Sequence, residues 1–255
     1  KANIIQKIMK LLVSFISRCK HNESGYSLIE LAIVLAIIGI IGGLTVPLLT
    51  HQLEKSRLEV TRRHHQEIVD SLASYAAFHR TLPCPADPAA QGQKAGVARP
   101  YCAKATEIIG IIPYRTLGLP ESVARDGYKN FITYAAEAKI IFSPVAEHDF
   151  KMFCRKISPR SLKVIDENGS NVLGASEDSI LFVLVSHGPT GHGAYIGKGT
   201  TEKRQGADAG HGEIENGNGD LTFISSPYST REDALFRHIV TWKTQRNFAG
   251  ICTSY

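Results

Sequence analysis

The sequence lacks several patterns that would identify a redox protein or a nucleic-acid-binding protein. Its five cysteines form no Cys-x-x-Cys pair, so a zinc site or a thioredoxin-like site is a poor interpretation. Most of the net positive charge lies in residues 1–25, which hold five of the 29 basic residues but one of the 24 acidic ones. The remainder is nearly neutral, with 24 basic and 23 acidic residues. Nucleic-acid binding needs basic residues clustered on the folded domain, so we do not expect it here.

Complete catalytic motifs are also missing. Ser186-His187-Gly188 resembles the end of a nucleophile elbow, but Leu184 occupies the position of the required glycine. Gly197-Lys198-Gly199 fails as a phosphate-binding loop, because His192 and Gly199 replace the glycine and the hydroxyl residue of that motif. His187 and His192 flank a glycine-rich turn, but no adjacent carboxylate or cysteine completes a metal site. We therefore expect no enzymatic activity.

Charge is almost absent from residues 26–49, a run of 24 residues in which Glu30 is the only charged one. A helix of this length reaches about 36 Å, which exceeds the hydrocarbon core of a bilayer at about 30 Å. The basic residues before the run favour a cytoplasmic N-terminus. A carboxylate inside a membrane helix is costly and implies a partner. Cleavage after Gly25 would supply one, because Tyr26 would gain a positively charged α-amine.

The segment Gly25-Tyr26-Ser27-Leu28-Ile29-Glu30 resembles the prepilin cleavage motif of type IV pilins and type II secretion pseudopilins. That motif usually reads Gly-Phe-Thr-Leu-Ile-Glu, so Tyr26 and Ser27 are mild departures. The resemblance implies cleavage between Gly25 and Tyr26 by a prepilin peptidase, followed by N-methylation of Tyr26. An ordinary signal peptide is cut after its apolar core, whereas here the core would survive processing.

The resemblance also implies a place in a filament. Glu30 would pair with the Tyr26 amine of a neighbouring subunit while the apolar helices pack in the filament core. The implied partners are other pilin-like subunits, in a homo- or hetero-filament, together with the prepilin peptidase and an inner-membrane assembly platform. The filament could be a type IV pilus-like fibre or a type II secretion pseudopilus. The alternative is a single-pass membrane-anchored periplasmic enzyme or binding domain with an uncleaved N-terminal span.

The predicted organisation has four parts. They are a leader peptide (1–25), a transmembrane and assembly helix (26–49), an amphipathic helix that continues it (50–82) and an extracytoplasmic β-rich domain (83–255). The implied location is the bacterial inner membrane, with a cytoplasmic N-terminus, a single span and a periplasmic head that joins an extracytoplasmic filament.

Three residues weaken the predicted helix at one place. Pro47 removes a backbone donor, and Gly42 and Gly43 raise the cost of staying helical. Glycine and proline are also tolerated in membrane helices, so both interpretations stay open from the residues alone. In the resembled family, a proline at this distance from the cut accompanies bending or melting of the helix in filaments. The resemblance implies the same for Pro47.

Beyond Pro47, apolar residues recur at helical spacing to about His79, and Leu82-Pro83 disfavours further helix. The apolar stripe is too irregular for a coiled coil, so we expect it to pack on the chain's own downstream domain. The predicted fold is α+β, with a long N-terminal helix packed on a largely antiparallel sheet, as in pilins. The glycine-rich residues 197–220 are predicted to be a long loop. Predicted strands cover residues 131–136, 139–142, 162–165, 180–186, 221–225 and 239–242.

Four cysteines remain after loss of the leader, namely Cys84, Cys102, Cys154 and Cys252. If the domain is exported, two disulfides are expected, and three pairings are open. We favour Cys84–Cys102, which closes a short loop, and Cys154–Cys252, which holds the C-terminus.

Asn216, Asn218 and Asp220 place side-chain oxygens at alternate positions, a pattern that calcium loops use. The EF-hand pattern is broken, because Leu221 stands where its glycine belongs. Some major pseudopilins bind calcium in a late loop, and a solvated turn is the alternative. We expect no other cofactor.

Overall fold

The computed structural model describes residues 27–102, 104, 106–138, 161–174, 178–197 and 199–248, with only the backbone described for 42–49. The chain forms two compact units, Lys1–Gln52 and Leu53–Tyr255. The predicted strand 139–142 lies outside the described residues, as do Gly25, Tyr26, Cys154 and Cys252.

Helix α1 runs over Leu28–His79 and has 52 residues. It ends where predicted, because Arg80 adopts a φ of 63° in the left-handed region and turns the chain out of the helix. The backbone stays helical through Gly42, Gly43 and Pro47. Bending at these residues in a filament therefore stays a prediction.

A four-stranded antiparallel sheet forms the centre of the second unit. Its strands, in the order in which they are hydrogen-bonded, are β1 (Ile109–Ile111), β2 (Thr133–Ala136), β4 (Ile180–Ser186) and β8 (Ile239–Thr244). All seven residues of β4 are buried, which confirms the central buried strand predicted for 180–186. Val183 of β4 lies opposite Ala135 of β2 and Trp242 of β8. The sheet and the N-terminal helix confirm the predicted α+β class.

Two small sheets lie beside the main one. Strands β3 (Lys163–Ile165) and β7 (Thr222–Ile224) pair in parallel, at the positions predicted for strands 162–165 and 221–225. Strands β5 (Tyr195–Gly197) and β6 (Thr200–Lys203) form an antiparallel hairpin.

The prediction of a long loop over residues 197–220 was wrong. Besides β6, this stretch contains helix α2, His211–Asn218. Its glycines serve as helix boundaries: Gly210 is the N-cap and Gly219, with φ 91°, is the left-handed C-cap. Glycine content alone could not separate a loop from a short helix that is capped by glycine at both ends.

The core contains residues from α1 and from the sheet. Ile68, Leu72 and Ala76 of α1 are fully buried and belong to the same apolar cluster as Tyr134 of β2 and Phe182 of β4. The predicted apolar stripe is therefore buried over its C-terminal part.

A disulfide joins Cys84 to Cys102, as predicted, across a separation of 18 residues. Arg99 holds the same loop through hydrogen bonds from Nη1 to the carbonyls of Pro85 (3.2 Å) and Glu107 (3.0 Å). An ion pair at 3.7 Å adds Asp87 to this set of contacts. The chain leaving α1 is thus fixed by both covalent and polar contacts.

We predict that the double substitution Cys84→Ser, Cys102→Ser lowers the free energy of unfolding by about 3 kcal/mol. The reason is that a disulfide closing a loop of this size lowers the entropy of the unfolded chain by that equivalent. Urea unfolding followed by circular dichroism measures the loss. Thiol labelling of the unreduced wild type is the control, and should leave both cysteines unmodified. Equal stability of the two proteins would contradict the prediction.

Candidate processing and assembly site

Glu30 lies in the first turn of α1 and is the fifth residue after the predicted cleavage position. The carbonyl of Ser27 accepts hydrogen bonds from the amides of Glu30 (3.0 Å) and Leu31 (3.2 Å), so the helix begins here. Ser27 and Glu30 have the spacing of a capping box, and a carboxylate in the first turn interacts favourably with the helix dipole. Within the described residues, no cation lies at ion-pair distance from Glu30.

The helix surface around Glu30 is apolar and exposed. Leu28 is 87% exposed and Ile29 69%. Contiguous apolar surface of this kind marks a membrane or protein interaction site. The other large apolar side chains exposed here are Leu31, Ile33, Val34, Leu35, Ile37, Ile38, Ile40 and Ile41.

Within the described residues, none of the helices combines the length and the apolar character that a membrane crossing requires. The predicted span 26–49 includes residue 26 and the side chains of 42–49, which are not described, so it stays a prediction.

From Glu54 onward, α1 is joined to the head by polar contacts. The hydroxyl of Tyr228 donates a hydrogen bond of 2.6 Å to the carboxylate of Glu54. Burial raises the pKa of Tyr228, and the bond to Glu54 raises it further, so the phenol stays protonated as a donor. Arg57 lies over the ring of Tyr128, 5.5 Å from its centroid.

A second set of contacts fixes the register of the helix against the loop that follows residue 124. The hydroxyl of Thr61 accepts the amide of Gly127 (2.9 Å) and donates to the carbonyl of Arg57 (2.9 Å). A Cβ at Gly127 would clash with that same carbonyl, so only glycine permits this approach. His64 Nδ1 lies 2.7 Å from the carbonyl of Arg125 and must therefore donate to it.

The turn Ser186-His187-Gly188 at the end of β4 is a buried polar hub. Ser186 donates to Asp126 Oδ2 at 2.8 Å, and Asn130 donates to the carbonyl of Gly188 at 2.8 Å. His187 Nδ1 lies 2.7 Å from the carbonyl of His192, and its Nε2 lies 2.7 Å from the hydroxyl of Thr133. Ser186 and His187 are both fully buried. The motif therefore ties β4 to its neighbouring loops.

Asp126 is the acid of this hub. Its Oδ1 accepts the amides of Tyr128 and Asn130, each at 2.9 Å. Burial raises the pKa of Asp126, while its hydrogen bonds from Ser186, Asn130 and Tyr128 act in the opposite direction.

A buried ion pair joins α2 to the chain before β8. Glu213 is fully buried and accepts hydrogen bonds from Arg237 at the backbone amide (2.6 Å), Nε (3.1 Å) and Nη2 (3.0 Å). The same carboxylate accepts the amide of Gly210, the N-cap of α2. Asp126, Glu213 and Tyr228 each contact a residue that is distant in the sequence. The sequence alone could not identify these contacts.

The calcium candidates have protein partners. Asn216 is buried, and its side chain donates to and accepts from the backbone of Ile224, at 2.9 and 2.7 Å. Asn218 Oδ1 accepts the amide of Asp220 (2.8 Å), and Asp220 Oδ1 accepts that of Thr222 (2.7 Å). In the described part of the chain, no cluster of three or more His, Cys, Asp or Glu side chains could hold a metal ion. Calcium binding here stays a prediction.

Comparison with known sequences identifies the N-terminal segment. The family described as "Prokaryotic N-terminal methylation motif" matches residues 20–46, which include Gly25, Tyr26 and Glu30. No curated protein and no solved structure matches the chain. The match confirms the predicted resemblance over residues 20–46: this segment is of the prepilin type, and its motif indicates a prepilin-peptidase substrate of the type IV pilin or pseudopilin kind.

We predict that Tyr228→Phe lowers the free energy of unfolding by about 1.5–3 kcal/mol, since it removes one hydrogen bond to a charged group and leaves the ring in place. Chemical denaturation of the purified protein measures the effect. Tyr101→Phe, at an exposed tyrosine, is the matched control and should change stability by less than about 0.5 kcal/mol. Equal effects of the two substitutions would contradict the proposed contact.

Proposed function

We propose that this protein is a structural subunit of a filament of the type IV pilus or type II secretion pseudopilus kind. The observation that carries the proposal is the methylation motif, with Glu30 in the first turn of a helix whose apolar side chains are exposed. In the proposed filament, these side chains pack against the helices of neighbouring subunits. Before assembly the lipid of the inner membrane covers them, with the N-terminus in the cytoplasm and the head in the periplasm.

Glu30 gives this packing its register. A carboxylate surrounded by apolar side chains is stable only with a paired charge. The α-amine of Tyr26, exposed by cleavage after Gly25, is the cation that processing supplies. Pairing between Glu30 of one subunit and Tyr26 of the next fixes the axial position of the incoming helix. The proposed partners are therefore other pilin-like subunits, the prepilin peptidase and an inner-membrane assembly platform.

The head has a structural role in this proposal. Ser186 and His187, the residues nearest to a catalytic motif, are buried and committed to hydrogen bonds with Asp126, Thr133 and His192. Their chemistry is used to hold the end of β4, which supports a non-catalytic head.

Glu30→Ala tests the pairing. We predict normal membrane insertion and cleavage but at least a hundredfold loss of filament incorporation, because truncating one partner of a buried ion pair costs about 3–5 kcal/mol. The measurement is the amount of subunit in sheared filaments relative to the membrane fraction. Glu59→Ala, at an exposed acidic residue further along the same helix, is the matched control and should assemble normally. Wild-type incorporation of the Glu30 variant would refute the pairing.

N-terminal sequencing tests the processing step separately. Co-expression with a prepilin peptidase should yield a chain that begins at Tyr26, and mass spectrometry should find one added methyl group. Without the peptidase, the leader should remain. An intact leader in the presence of the peptidase would instead support the single-pass anchored periplasmic domain.

A further inference from the structure

His238, which directly precedes β8, is buried without hydrogen bonds. Its side chain is 1% exposed, and neither ring nitrogen has a partner among the described residues. The ring contacts His187 edge-on, with centroids 5.0 Å apart, and lies 6.1 Å from the ring of Phe236. A neutral imidazole tolerates this environment, whereas an imidazolium would be a buried charge with no acceptor.

The neighbouring His187, by contrast, has both ring nitrogens in hydrogen bonds. The carbonyl of His192 can only accept, so His187 Nδ1 carries a hydrogen. In the neutral imidazole Nε2 then accepts from the hydroxyl of Thr133, so that hydroxyl would have to turn if Nε2 gained a proton. Proton uptake at this pair would require the hydrogen bonds at the end of β4 to rearrange.

A third buried histidine meets β8 from helix α1. His65 Nδ1 lies 2.8 Å from the hydroxyl of Thr241, and its Nε2 is buried without a partner among the described residues. Strand β8 lies at the end of the strand order β1–β2–β4–β8, so β4 is its partner in the main sheet. Two buried histidines, His65 and His238, therefore border one strand that is paired on a single side in the described part of the chain.

The charged groups around these histidines do not favour protonation. Burial first, then His192 and Arg237, lowers the pKa of His238 to about 3. Burial first, then His64, lowers the pKa of His65 to about 3. On the side of α2, the acid Glu213 is paired with Arg237, and Lys203 of β6 adds positive charge near His187.

We propose that β8 is an acid-sensitive latch of the head, which opens locally when His65 and His238 take up protons. Opening would release Thr241 from α1 and separate β8 from β4. The latch would make the contact between the N-terminal helix and the last strand of the main sheet depend on the pH outside the cytoplasm. The geometry that supports it is independent of filament assembly.

Proton linkage gives the direction and the size of the pH effect on opening. A histidine whose pKa is lowered in the closed state stabilises that state above about pH 6.5, and the stabilisation is lost as the pH falls toward the lowered pKa. Between pH 7 and pH 5, each such histidine raises the opening equilibrium constant about 25-fold, so the two together raise it about 600-fold.

Hydrogen exchange of the full-length protein in detergent micelles, at pH 7, 6 and 5 and corrected for intrinsic rates, measures the opening. We expect protection of Ile239–Thr244 to fall about 600-fold over this range, with a smaller loss in the β1–β2 pair. His238→Leu and His65→Leu should each reduce that pH dependence about 25-fold. His211→Leu, at an exposed histidine on α2, is the matched control and should leave it unchanged.

The outcomes separate the latch from general acid unfolding. Equal loss of protection in β8 and in the β1–β2 pair would overturn the proposal, as would pH-independent protection of β8. Wild-type pH dependence in both the His238 and the His65 variants would also overturn it. Because the two substitutions lie on different elements, a folding defect in one leaves the other as the test.

Discussion

A single carboxylate on an apolar helix surface, Glu30, restricts how the N-terminal helix of this protein can be buried. Burial of the apolar side chains from Leu28 onward lowers the free energy by about 25 cal/mol per Å² of surface removed from water. That gain is non-directional and would allow the helix to slide along its neighbours. In the proposed filament Glu30 would remove this freedom, because its charge can be buried only where a cation meets it. The proposed pairing with the α-amine of a processed subunit makes assembly conditional on proteolysis.

The two parts of α1 differ in their surroundings: the first exposes apolar side chains, and the second makes polar contacts with the head. The first part, up to Gln52, carries exposed apolar residues and a carboxylate without an ion-pair partner in the described chain. The second part, within the unit that begins at Leu53, is fastened by Tyr228, Gly127 and Thr241. These contacts are polar and directional, so they fix one register where an apolar stripe alone would allow several.

The sequence predicted those features of the structure that depend on patterns of a few neighbouring residues. The end of α1, the Cys84–Cys102 bridge and the buried strand β4 follow from spacing, proline and apolar runs, which act over a few residues. Helix α2 was missed because its capping glycines resemble loop residues. The hub around Asp126 joins residues about 60 positions apart, as in the bond from Ser186, and no local pattern encodes such a contact. The motif Ser186-His187-Gly188 was visible, but its structural purpose depends on distant partners.

The buried polar groups of the head respond to acid in opposite directions. Asp126 has a raised pKa from burial, so its contribution favours the folded head as the pH falls through that range. His65 and His238 have lowered pKa values, so their contribution is lost from about pH 6.5 downward. Asp126 holds the end of β4, whereas the two histidines border β8. Mild acid should therefore weaken the β8 contacts without a loss of stability from Asp126, so we expect the response to begin at one strand of the sheet.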